Sequence, residues 1–268
     1  MDIVIQMQRF LSAENCAMST IKVYANTLSL LLKKHPEFEN YNNQQLVYVM
    51  SEISDPIYRN TIRSVILKVH RDMMGKNVII PFIKRPERLQ GIYTHDEVKL
   101  IFSQIKNAKH LAIAKLLYIE GFRVSEVVNV LKADCDKLQK TIHIRGTKNK
   151  KDYIKYLDDS TVEALEEYCK WLRSRNFKLN KYLFEGFSNC QYAKRSIQEF
   201  MRGAIIKAGL QVKGSCHVFR RSSSVWKLEQ GWDVKYIAAS LNNSEKTCSK
   251  YYAMVRPEYL KSLPKPVI

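Results

Sequence analysis

Four short stretches of the chain carry side chains suited to chemistry on an anion. Gly121-Phe122-Arg123-Val124-Ser125-Glu126 sets an arginine between a helix stop and a new helix cap. His217-Val218-Phe219-Arg220 spaces an imidazole and a guanidinium so that a helix would present both on one face, one turn apart. Arg145 precedes Thr147-Lys148-Asn149-Lys150-Lys151, a cationic turn able to lie against a phosphate backbone. Lys250-Tyr251-Tyr252-Ala253 offers two phenols as nucleophiles. Taken singly, each stretch has an ordinary reading: a surface arginine, a chance H-x-x-R, a solvated lysine turn, a tyrosine pair at the edge of a core.

The composition leans the same way as the motifs. The 268 residues include 44 Lys+Arg and 26 Asp+Glu, a formal net charge of +18. Such an excess points to a polyanionic partner, nucleic acid first. The first 84 residues carry 10 basic and 7 acidic side chains, so +15 of the charge lies beyond them. A hydrophobic fraction of 46% with 10% aromatics excludes a disordered chain. No stretch approaches the roughly 18 consecutive apolar residues of a membrane span. The start, Met1-Asp2-Ile3-Val4-Ile5-Gln6, lacks the basic and apolar regions of a secretory signal. Six cysteines are scattered without a C-x-x-C pair, which argues against a zinc module or disulfide scaffold. A cytoplasmic protein without membrane association is expected.

The elements that must position the four stretches are mostly helical. In the first third, Ser19 is placed to cap a helix with Ile21, Tyr24, Leu28 and Leu31 on its apolar face. Leu46, Val47, Val49 and Met50 suggest a shorter helix. Ile62, Val65, Ile66, Val69 and Met73 mark another, with Gly75 as its stop. Residues 80–92, with two prolines, a glycine and mixed charges, read as a linker between domains at 1–79 and 93–268. Thr94-His95-Asp96-Glu97 is a capping box that opens the second domain. Helices follow from about Lys109 to a stop at Gly121, and again from Ser125. Thr141–Arg145 and Tyr153–Leu157 alternate as strands of a β-hairpin around the basic turn. Ser160-Thr161-Val162-Glu163 reads as another capping box, and further helices are expected near 192–208, 217–229, 233–241 and 245–255. The expected fold is therefore mainly α with one small antiparallel hairpin, in two domains. The lack of βαβ alternation, of a glycine-rich phosphate loop and of H-E-x-x-H excludes kinase, P-loop and Rossmann readings.

Taken in order, Arg123, a hairpin lysine, His217-x-x-Arg220 and a downstream tyrosine resemble the tyrosine recombinase, or integrase, family. Gly121–Glu126 is similar to that family's G-x-R-x-S-E box, and His217–Arg220 to its H-x-x-R box. Leu241-Asn242-Asn243-Ser244 followed by Tyr252 resembles its L-G-H-S block and tyrosine. The resemblance covers nearly the whole chain, because members also carry an N-terminal helical DNA-binding domain and a basic linker. This sequence departs from the pattern at Asn243, where His or Trp is usual, at Asn242 in place of glycine, and at Arg221, where histidine is common. Asparagine tolerates a left-handed backbone better than most residues, which suits position 242.

The resemblance implies a site-specific recombinase that cleaves and rejoins DNA through a 3′-phosphotyrosine. Arg123 and Arg220 would clamp the non-bridging oxygens on which charge builds. Tyr252 would be the nucleophile; its phenol, with an ordinary pKa near 10, needs a strongly cationic site. Counting along the family block selects Tyr252 over Tyr251. Lys148 would protonate the leaving 5′ oxygen, with Lys150 and Lys151 as alternatives. His217 would assist proton transfer, Asn243 would hydrogen-bond the phosphate, and Glu126 would orient the first arginine. Arg145, Lys150, Lys151 and Arg221 are candidates for neighbouring phosphates. No metal, ATP or other cofactor is implied. The implied partners are duplex DNA with inverted-repeat core sites and three further copies of the chain, a tetramer resolving a Holliday junction, with room for accessory DNA-bending proteins. Two rivals share the fold: a type IB topoisomerase-like relaxing enzyme, and a non-catalytic DNA-binding protein.

Overall fold

Asp2 accepts a hydrogen bond from the Val4 N–H and starts α1, Ile3–Ala13, whose Ile3, Met7 and Leu11 recur at one-turn spacing and are buried. The computed structural model describes residues 2–84, 91–146, 152–186, 190–214 and 216–255. The chain divides into two compact units, Met1–Arg88 and Leu89–Ile268.

The first unit is helical. α2, Met18–Lys34, buries Ile21, Ala25, Leu28 and Leu31 and ends in Lys33 and Lys34, cations at the negative end of the helix. Ser19 lies inside α2; the residue before the helix is Ala17, which makes no side-chain cap. α3, Asn43–Ser51, opens with a capping box of Asn42 and Gln45. α4, Pro56–Ile66, opens on Asp55, which accepts from Ile57 N and Tyr58 N, with proline in the first turn. The expected helix through Met73 changes character at Leu67: residues Leu67–Met73 form a π-helical segment that ends before Gly75, at φ +68. Phe38, Leu28, Leu46, Val65, Ile66 and Val69 make the centre of the core. Val78 and Ile80 join it, and Asn60 brackets Ile83 by donating to its carbonyl and accepting from its N–H. Residues 80–83, at the start of the expected linker, are therefore strapped to the first unit. Residues 85–90 of that linker lie outside the described residues.

The second unit is built around α6, Ala108–Tyr118, with Ala112, Ile113, Ala114, Leu116, Leu117 and Tyr118 all buried. α5, His95–Ser103, carries the expected Thr94–Glu97 capping box. Gly121 stops the run at φ +67, and α7, Val124–Asn129, follows at once. Three strands form one antiparallel sheet in the order β1-β2-β3: Cys135–Asp136, Thr141–Ile144 and Tyr153–Tyr156. The short β1 adds a strand to the expected hairpin. The register pairs Ile142 with Lys155 and Ile144 with Tyr153.

α8, Asp159–Ser174, packs along α6. Its cap is Asp158, which accepts from Ser160 N, so the helix begins before the expected Ser160 box. α9, Lys194–Lys207, α10, His217–Glu229, and α11, Val234–Leu241, follow the expected spans. The expected helix 245–255 is shorter: α12 covers Glu245–Ser249 and passes into a 3-10 segment, Lys250–Met254. α10, α11 and the chain after them share a small core of Val225, Leu228, Ile237, Ala238, Leu241, Cys248 and Val255. Among the described residues no helix is long and apolar enough to cross a membrane.

Candidate active site

Gly121 and Arg123 sit in the tight connection between α6 and α7. Glu126, one turn into α7, reaches back: its Oε2 accepts from the Arg123 N–H at 2.7 Å and its Oε1 accepts from Arg123 Nη1 at 2.6 Å. The same carboxylate lies 3.7 Å from Arg220 Nη1. Glu126 is 7% exposed and Arg220 5%, so two guanidiniums share one anion in a largely dry environment, where charge-assisted bonds are strong.

Arg220 is held on its other side by main chain. It donates to the carbonyls of Gly121 and Leu241. Burial and the nearby Arg123 lower its pKa, yet a guanidinium stays charged at neutral pH. Arg123 Nη2 donates to Asn243 Oδ1 at 2.8 Å and to the Asn242 carbonyl at 3.3 Å. Asn242 makes this geometry available. It ends α11 in the left-handed region, φ +46 and ψ 54, turning the chain so that Asn243 meets Arg123.

The structure thus brings Arg123, Glu126, Arg220 and Asn243 into one constellation. His217 is exposed at the first turn of α10; partial desolvation, then the guanidiniums of Arg220, Arg123 and Arg221, lower its pKa. Arg221 is half-buried, and its Nε has no hydrogen-bond partner. Tyr251 is partly buried against the core of α10 and α11. Burial raises its pKa, and Arg220, Arg221 and Arg123 oppose that rise, which places its phenol in the field of all three guanidiniums. The Tyr252 backbone belongs to the 3-10 segment, and its side chain lies outside the described residues. Lys148, Lys150 and Lys151 also lie outside them. Arg145 is engaged elsewhere: it donates to buried Asp134 at 2.8 and 2.6 Å. Among the described residues no group of three His, Cys, Asp or Glu is placed to hold a metal ion.

Several polar groups beneath the constellation escaped the sequence reading. Tyr153 of β3 lies in the field of Glu126; burial, then that carboxylate, push its pKa up to about 12. Lys155 of the same strand is 6% exposed, as is Lys227 of α10, and Glu120 is 4% exposed. Lys155 Nζ donates to the Ser240 carbonyl at 2.5 Å. The motif signals gave no warning of these residues. Only the strand register, which puts Lys155 beside Ile142, would have done so.

Residues 92–258 match the model of the phage integrase family. Tyrosine recombinase XerA of Thermococcus kodakarensis is 31% identical over 186 residues, covering 66% of this chain and 63% of that protein. Tyrosine recombinase XerC of Anoxybacillus flavithermus is 25% identical over 186 residues, covering 68% of this chain and 60% of its own length. The match therefore spans less than two thirds of these relatives. Among solved structures, a lambda integrase dimer bound to a COC′ core site superposes with a TM-score of 0.73 at 15% identity, over 99% of this chain and 79% of that one. XerH recombinase bound to its difH substrate gives 0.72 at 18% identity, over 98% and 85%. These likenesses carry the fold. With the family match over most of the second unit, the chain belongs to the phage integrase family.

Proposed function

We propose that the protein is a site-specific DNA recombinase that cuts and rejoins strands through a 3′-phosphotyrosine. What supports this reading is the meeting of Arg123 and Arg220 on the one carboxylate of Glu126, in a chain of this family. Their free donor edges suit the two non-bridging oxygens of a phosphodiester, where charge grows in the transition state. Tyr252 is assigned as nucleophile. Its oxygen attacks phosphorus, the bond to the 5′ oxygen breaks, and Lys148 gives that oxygen a proton. His217, with its pKa lowered, is neutral at neutral pH and can take the phenolic proton or pass it on. The phosphotyrosine keeps the energy of the broken ester, so a 5′ hydroxyl from another strand can reverse the step, and the scheme calls on neither ATP nor metal.

Arg221 is a candidate for a neighbouring phosphate, as are Lys150 and Lys151; Arg145 would first have to leave Asp134. The first unit is assigned as a second DNA-binding body, and a tetramer on two inverted-repeat sites as the working assembly. Accessory DNA-bending proteins remain a partner class of the same proposal.

The deciding experiment is covalent capture on a nicked duplex carrying the cognate site, where loss of a short strand traps the adduct. Wild type and Tyr251→Phe should form it, and Tyr252→Phe should not. Adduct from Tyr252→Phe would move the nucleophile elsewhere. Adduct and relaxation on arbitrary supercoiled plasmid would favour the topoisomerase reading, and binding without adduct the non-catalytic one.

A further inference from the structure

The inner face of β3 is where one expects apolar side chains, since Lys155 pairs with Ile142, which is fully buried. Burying an ammonium there is costly unless its hydrogen bond does something that packing cannot. The acceptor it meets is informative. Ser240, Leu241 and Asn242 are three consecutive carbonyls at the end of α11. The carbonyls just before them, Ala238 and Ala239, already accept from Asn243 N and Asn242 N. The final carbonyls of a helix lack partners within it, and the helix end favours cations. Lys155 takes Ser240, Arg220 takes Leu241, and Arg123 takes Asn242 together with the Asn243 side chain. Three cations from three separate elements therefore end on one turn of main chain.

We infer that Lys155 is a positioning residue for the arginine clamp: it ties strand β3 to the end of α11 and so holds the acceptors of Arg123 and Arg220 in place. The inference rests on the recombinase reading. The same strand also places Tyr153 in the electrostatic field of Glu126, Arg220 and Arg123.

The charges around Lys155 give the idea a distinctive signature. Facing it are Lys227 and Arg220 of α10, Glu120 after α6 and Glu126 of α7. Burial and Lys227 push its pKa down to about 7, with Glu120 opposing. The ammonium is the stronger donor, so the tie weakens as pH rises through neutrality.

The test is single-turnover adduct formation by the full chain on the nicked duplex, with affinity for the same duplex measured in parallel. Lys155→Met should slow adduct formation about 10- to 100-fold near pH 6. Affinity should stay within about threefold of wild type. The wild-type advantage should shrink toward about pH 9. Lys155→Arg, a donor charged at every pH, should restore most of the rate near pH 6 and keep its advantage over Lys155→Met toward pH 9, so that its ratio to wild type rises with pH. Equal rates for wild type and Lys155→Met near pH 6 would overturn the inference, as would a parallel loss of rate and affinity. If Lys155→Met does not fold, Lys155→Arg decides: a ratio to wild type that stays constant with pH overturns the inference. Absence of adduct from wild type would overturn the recombinase reading and this inference with it.

Discussion

The guanidinium of Arg123 donates to the side-chain oxygen of Asn243 at 2.8 Å, joining positions 120 apart in the chain. The contact fixes which end of the Asn243 amide is which. Its oxygen faces Arg123, so its NH2 is the end left to donate.

Asn243→Ala removes this acceptor and frees one edge of Arg123. Adduct formation should fall about 10- to 100-fold, the usual effect of losing one placed donor or its support. Asn243→His keeps a ring nitrogen for Arg123 and should recover part of the loss. Single-turnover capture on the nicked duplex measures both, and wild-type rates from Asn243→Ala would remove the contact from the mechanism.

Glu126 balances two arginines at once, and Arg220 is almost fully buried beside it. Glu126→Ala strands that charge and should lower unfolding free energy by about 3 kcal/mol. Glu126→Gln keeps the shape and an oxygen for the Arg123 N–H, so it should cost roughly half as much. Urea denaturation reads both; a loss under about 1 kcal/mol for the alanine variant would mean that solvent already screens the pair.

Gly121 has two reasons to be glycine. Its φ is +67, and an added Cβ would stand 2.3 Å from Leu241 Cδ2. Gly75 has a similar φ of +68 but open space around it. Gly75→Ala should therefore cost about 1 kcal/mol from backbone strain alone. Gly121→Ala should cost at least about 2 kcal/mol more, because Leu241 belongs to the turn that receives Arg220. Comparing the two melting curves separates strain from collision, and equal losses would contradict the crowding at Gly121.

Two histidines work against the folded state in acid. Burial pushes His70 and His110 down to about 4, His70 against Phe38 and His110 stacked on Phe200 at 4.0 Å. Between that value and the ordinary one near 6.5 the unfolded chain binds protons that the folded chain refuses, so stability falls as pH drops through this window. His110→Phe should flatten the dependence of melting temperature on pH between about 6.5 and 4. An unchanged slope would show that His110 titrates normally.

Much of the arginine site was legible because its residues lie next to local backbone signals. Gly121 stops one helix, Glu126 sits at the third position of the next, and Asn242 ends α11 with a positive φ. Each is a short-range rule tied to a spacing. Lys155 was illegible for the opposite reason. In Tyr153-Ile154-Lys155-Tyr156 the alternation suggests isoleucine inward and lysine outward, yet Ile154 is 62% exposed and Lys155 buried. The register of β3 on β2, which pairs Lys155 with the buried Ile142, decides the matter, and the four residues of the strand do not encode it by themselves. The helix starts missed at Ser19 and Ser160 show a smaller version of this: Asp158 captured the N–H of Ser160 and caps the helix two positions sooner than the expected box.

Besides its ion pair with Glu126, Arg220 anchors on the main-chain oxygens of Gly121 and Leu241. A peptide oxygen is the same atom whatever residue bears it. The site should therefore tolerate changes in the identity of its acceptors far better than changes in chain length. Deleting one residue within α11 would rotate its end by about 100° and carry all three acceptor carbonyls away together. Substitution surveys would mark Arg220 and pass over position 241 except for packing, whereas a survey of single-residue insertions and deletions would find the helix end at once.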